Sequence, residues 1–332
     1  MRLSDRIGRR IKLQDVHILM AVVQAGSMGK AARHLNTSQP NISKSIADLE
    51  HALGVRLLDR HRQGIEPTEF GRALLDGGTA VFDELRQTVK NIEFLADPAA
   101  GEVRIGCNEL LATSFGSSVV DRLCRRYPRI KFHLVSGHNE ALHHQLCERQ
   151  VDLLIAWRFG PIADERLCFE SLFDETCVVA AGAQSQWARR RRTIPLSELI
   201  NEPWVLPPRG SGIITIALEA FRASGLDYPS ATVVTDSPHV RMSLLATGRF
   251  LTILQSSALN FPSRRSELSV LSVKLPMASV PSGIVTLKNR TLSPVARLFI
   301  NAAREVAKPL AKRNGSATSF WSTASYRGDA AN

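Results

Sequence analysis

The stretch from Thr37 to Leu53, TSQPNISKSIADLEHAL, concentrates side chains suited to reading a polyanion. Gln39 and Asn41 carry amides that can bond an adenine edge with two hydrogen bonds, and Lys44 can bond guanine or a phosphate. Ser38 and Ser43 add short hydroxyls, and Pro40 adds a compact apolar surface. Further along, Arg60 and Arg62 sit in LLDRHRQGIEP, where fixed positive charge near a turn can grip phosphates.

A helix must present these residues, and the sequence supplies one. Ser38 is a good N-cap, because its hydroxyl can satisfy an orphan backbone N–H. Pro40 falls in the first turn, where a missing N–H costs nothing. Ile42, Ile46, Leu49 and Leu53 then recur at spacings of 4, 3 and 4, which makes one apolar stripe. Pro40, Ser43, Lys44 and Ala47 point the other way, with Asp48 and Glu50 on the back half of the exposed face. Upstream, Leu13, Val16, Leu19, Met20 and Val23 form another helical stripe that Gly26 can end. Ser27 caps a short helix whose Ala31, Ala32 and Leu35 face inward. Asn36 occupies the turn, where positive φ is wanted. Short helix, tight turn and polar-tipped helix together predict a helix-turn-helix whose second helix enters a major groove. Ser27 belongs with that DNA-facing set. GVRLLDRHRQGIEPT alternates apolar and basic residues around Gly64 and reads as a β-hairpin wing.

Thr68 can cap a long helix. Its Leu74, Val81, Leu85, Val89, Ile92 and Leu95 recur at spacings of 7, 4, 4, 3 and 3, close to a heptad seam that asks for a partner helix. Gly77 and Gly78 weaken its middle by about 1 kcal/mol each relative to alanine. Asp97-Pro98 ends it. A dimerisation helix and linker are expected.

The chain has 332 residues, 44% of them hydrophobic, and a formal net charge of +11. That length suggests two or three domains, and the charge favours a polyanionic partner. Cys107, Cys124, Cys147, Cys168 and Cys177 are odd in number and lack C-x-x-C spacing, which points to a reducing compartment. MRLSDRIGRR lacks the apolar core of a signal peptide. No apolar run of about 18 residues exists that would cross a membrane. A cytoplasmic protein is the expectation.

From Gly101 the period changes. EVRIGC, IKFHLVSG and VDLLIAW read as strands separated by helices, and ATVVTD and FLTIL repeat the pattern around PHVRMSLLAT. Strands alternating with helices predict parallel α/β sheets.

KAARHLNTSQPNISKSIADLEHALGVRLLDR, followed by PTEFGRALL, resembles the LysR-type bacterial transcriptional regulators. VRIG, the RRYP helix end, VDLLIAW and LSPVARLF extend the resemblance more loosely over about residues 11–308. The basic segment before Ile11, the Gly77-Gly78 pair, the Arg189–Arg192 run and the C-terminal tail depart from it. The resemblance implies an α/β chain with an N-terminal winged helix-turn-helix (11–67), a linker and dimerisation helix (68–97), and a periplasmic-binding-protein-like effector domain (101–308). That domain has two α/β subdomains, I at 101–172 and 282–308 and II at 173–281. Residues 309–332 are expected to be a disordered tail. The family's DNA-contacting positions carry over to Ser38, Gln39, Pro40, Ser43 and Lys44, with Arg60 and Arg62 in the wing. Pro40 there offers its flat surface to a thymine methyl. The implied partners are a double-stranded operator with an interrupted palindrome, a small-molecule inducer, further copies of the chain in a dimer of dimers, and RNA polymerase.

Ligands of α/β sheets sit outside the carboxyl ends of strands, near helix N-termini. Three such ends can converge: Asn108, Glu109, Thr113 and Ser114 after VRIGC; Ser211 and Gly212 before the next helix; Ser237 and His239 after ATVVTD. Arg158, just past VDLLIAW, can add charge. Asn108 and Glu109 look like readers of hydroxyls, which points to a polar effector, sugar-like or a carboxylate. Three rival readings remain. A redox sensor would use Cys107. An enzyme is opposed by the lack of a nucleophile elbow, P-loop, dinucleotide fingerprint or metal-ligand cluster, so no catalytic residue, cofactor or metal is expected. A structural DNA-bundling protein would bind without sequence preference.

Overall fold

The computed structural model describes residues 7–61, 64–162, 164–190, 192–256, 268–276 and 279–314. The chain divides into two compact units, Met1–Val89 and Lys90–Asn332.

In the first unit α1 (Leu13–Ala25), α2 (Met28–His34) and α3 (Gln39–Leu53) precede a hairpin of β1 (Leu58–His61) and β2 (Gly64–Pro67). Leu19, Val22, Ala31, Ile42, Ile46 and Leu49 are sealed in the core. Leu13, expected in the buried stripe of α1, is 49% exposed, while Val22, outside that stripe, is buried. Gly26 ends α1 at φ 66° and Asn36 turns the chain at φ 49°. The long helix α4 (Glu69–Ala96) follows, with the Thr68 hydroxyl accepting from the Gly71 N–H at 3.0 Å. Gly78 has a reason to be glycine: a Cβ there would lie 2.6 Å from Val16 Cγ1, so α1 and α4 cross closely at this point. Gly77 meets nothing. Leu74 packs in the N-terminal core, so the exposed seam of α4 starts at Val81.

The second unit begins with β3 (Ala100–Cys107), α5 (Glu109–Leu111), a π turn (Ala112–Gly116), α6 (Ser117–Arg126), β4 (Arg129–Ser136), α7 (Asn139–Cys147), β5 (Leu153–Trp157) and β6 (Leu167–Glu175). It continues through β7 (Cys177–Gly182), β8 (Trp204–Leu206), α8 (Gly212–Ala223), β9 (Ala231–Val234), α9 (Pro238–Ala246), β10 (Leu251–Gln255) and β11 (Leu268–Val270). β12 (Val280–Leu287) and α10 (Pro294–Asn314) complete it. Two five-stranded sheets result, in the orders β4-β3-β5-β12-β6 and β11-β7-β10-β8-β9. Each has its own apolar core, and every residue of β5 is buried, as its unbroken apolar run requires.

The sheets are mixed, not parallel throughout. β4-β3-β5 and β10-β8-β9 are parallel, while β12 runs antiparallel to β5 and β6, and β7 antiparallel to β10 and β11. A parallel neighbour needs a crossover, usually a helix; the strands that carry the chain between sheets arrive without one. The crossings also lie elsewhere than expected. β6 stays in the first sheet through Glu175, and β12 re-enters it at Val280, so residues 173–175 and 280–281 belong to the first subdomain. The last helix runs to Asn314, six residues past the expected end at 308. Buried Ala303 and Ala307, with Leu310 against the same core, carry it past Pro309; packing outweighs the lost N–H. The rest of the expected tail, 315–332, lies outside the described residues.

Candidate functional site

The nucleic-acid face is built on α3. Its buried stripe of Ile42, Ile46, Leu49 and Ala52 fixes which face looks outward. Ser38 caps the helix, accepting from the Asn41 N–H at 3.4 Å, and Ser27 caps α2, accepting from the Lys30 N–H at 3.1 Å. Ser38, Gln39, Pro40, Asn41 and Lys44 are exposed at the tip, and Ser43 is half-buried. Asn41 also donates to the Thr37 hydroxyl at 3.3 Å, which orients its amide. Two side chains the sequence reading passed over hold this face in place. The Ser45 hydroxyl donates to the Asp15 carboxylate and ties α3 to α1. Glu50, expected to be solvated, turns back and accepts from the Leu57 and Leu58 N–H groups at 2.8 and 3.3 Å. It thereby anchors the hairpin, on which Arg60 is exposed opposite Ile65. Arg62 lies outside the described residues.

The second candidate is a cavity of about 560 Å³ at the strand ends of the two sheets. Asn108, Glu109, His138 and Trp157 border it from the first sheet, and Ser211, Asp236, Ser237, Arg241 and Gln255 from the second. Small-molecule sites span about 300–1,000 Å³. Two histidine–carboxylate pairs cross between the sheets at its edge. Glu109 Oε1 lies 2.6 Å from His239 Nδ1, and Asp236 Oδ2 lies 3.5 Å from His138 Nε2. All four side chains are exposed, so these contacts are screened by water and salt.

Residues 13–72 match the bacterial regulatory helix-turn-helix protein, lysR family, and residues 96–308 match the LysR substrate binding domain. The chain belongs to the LysR-type transcriptional regulator family. It is 26% identical over 309 residues to the HTH-type transcriptional regulator GbpR of Azospirillum brasilense, covering 92% of this chain and 89% of that protein. It is 25% identical over 294 residues to TdcA of Escherichia coli (strain K12), covering 89% and 93%. Among solved structures it resembles full-length OxyR from Pseudomonas aeruginosa, with a TM-score of 0.64, 20% identity and coverage of 90% and 97%. It also resembles full-length CbnR complexed with target DNA, with a TM-score of 0.51, 20% identity and coverage of 90% and 100%. This LysR-type regulator is thus a DNA-binding transcription regulator with an effector-binding domain.

Of the effector residues expected from sequence, the regulator brings Asn108, Glu109, Ser211 and Ser237 to the cavity wall. The first and last of these also cap helices, accepting from the Leu110 N–H at 3.0 Å and the Val240 N–H at 3.4 Å. His239 reaches the edge through its contact with Glu109. Four others go elsewhere. The π turn rotates Thr113 and Ser114 back onto their own helix, where Ser114 Oγ donates to the Leu110 carbonyl at 2.5 Å. Arg158 stacks over the Phe169 ring at 5.0 Å and lines a smaller cavity of about 280 Å³. Gly212 sits under the Phe159 ring, where a Cβ would be 2.3 Å from the ring carbon, so it serves packing. His138, Trp157, Arg241 and Gln255 are among the cavity residues that the sequence did not reveal.

The redox alternative loses its chemistry. Cys107 is buried, burial pushes its thiol far above the ordinary range, and its Sγ donates to the Asn108 carbonyl at 3.3 Å. A redox sensor needs an accessible thiolate. Among the described residues no group of three or more His, Cys, Asp or Glu could hold a metal ion, and no helix is long and apolar enough to cross a membrane. Within the Arg189–Arg192 run, Arg191 lies outside the described residues, and two of the exposed arginines have partners. Arg190 and Arg192 both pair with Glu198, at 3.0 and 2.8 Å, and Arg190 stacks over Trp187 at 4.4 Å.

Proposed function

We propose that this regulator reads an interrupted palindrome through the tip of α3 as a dimer of dimers, and that a small polar molecule in the cavity between the two sheets sets its activity at a promoter served by RNA polymerase. It acts in the cytoplasm and catalyses no reaction. The observation that carries the reading is the polarity of α3, whose Ile42, Ile46, Leu49 and Ala52 are buried and Leu53 half-buried while Ser38, Gln39, Pro40, Asn41 and Lys44 stand exposed at one end. In this reading Gln39 and Asn41 meet base edges, Pro40 meets a thymine methyl, and Ser27, Ser38 and Ser43 hold the helix to phosphates. Lys44 meets guanine or a phosphate, and Arg60, with Arg62, grips the flanking backbone. The unpartnered apolar seam of α4 supports the dimer.

Lys44→Ala is expected to weaken binding to a selected duplex by about 1–3 kcal/mol if Lys44 meets a base edge. If it meets only phosphate, all duplexes weaken alike and the salt slope falls by about 1. Mobility shift at two salt concentrations measures both. Unchanged affinity and slope would remove Lys44 from the interface.

A further inference from the structure

Arg241 lies on α9 at the cavity wall and is 4% exposed, yet among the described residues its guanidinium Nε and Nη1 have no hydrogen-bond partner. Buried charges are ordinarily paired, because losing water is costly. Among the described residues no carboxylate lies within ion-pair distance of this guanidinium, and the two carboxylates bordering the cavity, Glu109 and Asp236, each face a histidine. Burial alone lowers the Arg241 pKa to about 10, which leaves the group charged at neutral pH. Among the described residues, three further buried polar atoms on the same cavity also lack partners: Trp157 Nε1, Ser211 Oγ and Gln255 Oε1.

The chemistry of this set is specific. Arginine and the indole N–H only donate, serine does either, and the amide oxygen only accepts. The unpartnered part of the wall therefore carries one positive charge and mostly donors, with one place for a donor, while the carboxylates of Glu109 and Asp236 at the edge face histidines. A guanidinium fork matches the oxygens of an oxyanion. A cavity of about 560 Å³ holds far more than an inorganic ion. We propose that the effector is a small organic acid whose carboxylate is anchored by Arg241 and the Trp157 indole N–H, with a hydroxyl or amine donating to Gln255. The inference rests on the reading of the cleft as the effector site. It replaces the hydroxyl-reading role expected for Asn108 and Glu109, which are occupied by helix capping and by His239.

The test uses the full-length protein, tryptophan fluorescence and thermal unfolding. The probes are lactate, succinate and benzoate, their neutral amides, glucose, inorganic sulfate and inorganic phosphate. At least one carboxylate is expected to give a saturable response that its amide does not. Arg241→Met should weaken that response by about tenfold or more, with Arg241→Lys in between, because lysine keeps the charge and loses the fork. Without added solute, Arg241→Met should melt at the same or a higher temperature, since it removes an unpaired buried charge. A lower melting temperature in both variants marks a structural arginine and overturns the proposal. So does a carboxylate response equal in wild type and variant, a response to amides or glucose alone, or no response to any carboxylate. Saturation by sulfate or phosphate alone also overturns it in favour of an inorganic anion. Operator occupancy, read by mobility shift with the same probes, separates the two claims. A carboxylate bound through Arg241 that leaves occupancy and footprint unchanged upholds the anion site and removes cleft control. Glucose that changes them with carboxylates inert does the reverse.

Discussion

If α4 carries the proposed dimer seam, Leu85→Asp is expected to leave the protein monomeric at micromolar concentration. On α4, Val81, Leu85, Val89, Ile92 and Leu95 are 45%, 46%, 52%, 61% and 81% exposed, in spacings of 4, 4, 3 and 3. So many large apolar side chains along one helix stripe mark an interaction surface. Burying one leucine contributes about 1.5–3 kcal/mol. A two-fold seam uses each position twice, so losing Leu85 costs about 3–6 kcal/mol, or a factor of about 10²–10⁴ in dimer affinity. The buried aspartate adds a desolvation penalty. DNA binding should fall with it, because two linked half-sites act at high effective concentration and a monomer reads only one. Sedimentation at several loading concentrations measures the first effect, and mobility shift the second. An unchanged dimer would place the interface elsewhere.

The largest stability effect is expected at Arg290→Met. Arg290 and Asp152 are buried, with side chains 2% and 7% exposed. Arg290 Nη2 lies 3.3 Å from Asp152 Oδ1, and its Nη1 donates to the Val151 carbonyl at 2.6 Å. Asp152 Oδ2 accepts from the Arg104 N–H at 2.9 Å, so the pair ties the loop after β12 to β3 and to the start of β5. Removing one member of a buried pair costs about 3–5 kcal/mol, because the other stays buried and charged. For a domain of this size that lowers Tm by about 6–20 °C. The double variant Arg290→Met with Asp152→Asn should recover part of the loss. A Tm within one degree of wild type would show that water or another group replaces the arginine.

How much of this was legible follows from how local each feature is. The helix-turn-helix is a local object: Ser27, Ser38, Pro40, Gly26 and Asn36 act within a few residues of themselves, and the stripe of α3 needs only its own period. Glu50 escaped because its partners, Leu57 and Leu58, are reached by folding the chain back past the helix end. Half of the cleft was legible because strand ends and helix starts are recognisable, which gave Asn108, Glu109, Ser211 and Ser237. Arg241 was not, because an arginine in PHVRMSLLA reads as solvated until tertiary packing turns its face inward. Arg158 failed for a simpler reason. Its guanidinium turns to the Phe169 ring and the smaller cavity, a contact with a strand further along the chain. Thr113 and Ser114 were displaced by a π turn whose one sign in ATSFGSS is a run of small hydroxyl residues. The crossing points were misplaced by three residues at Glu175 and two at Val280, because β6 and β12 carry no helix to mark where one sheet ends.

The most direct measurement is selection of duplexes from a random library by the full-length protein at fixed salt. Affinities of enriched and scrambled sequences are then compared at that salt. Two inverted half-sites separated by about one or two helical turns are expected, with a preference of about 10³ or more over scrambled duplex. That preference should collapse toward the scrambled value in Gln39→Ala with Lys44→Ala, while binding to scrambled duplex changes little. Enrichment of no sequence, or equal affinity for every duplex, would contradict recognition through α3 and leave only sequence-independent binding.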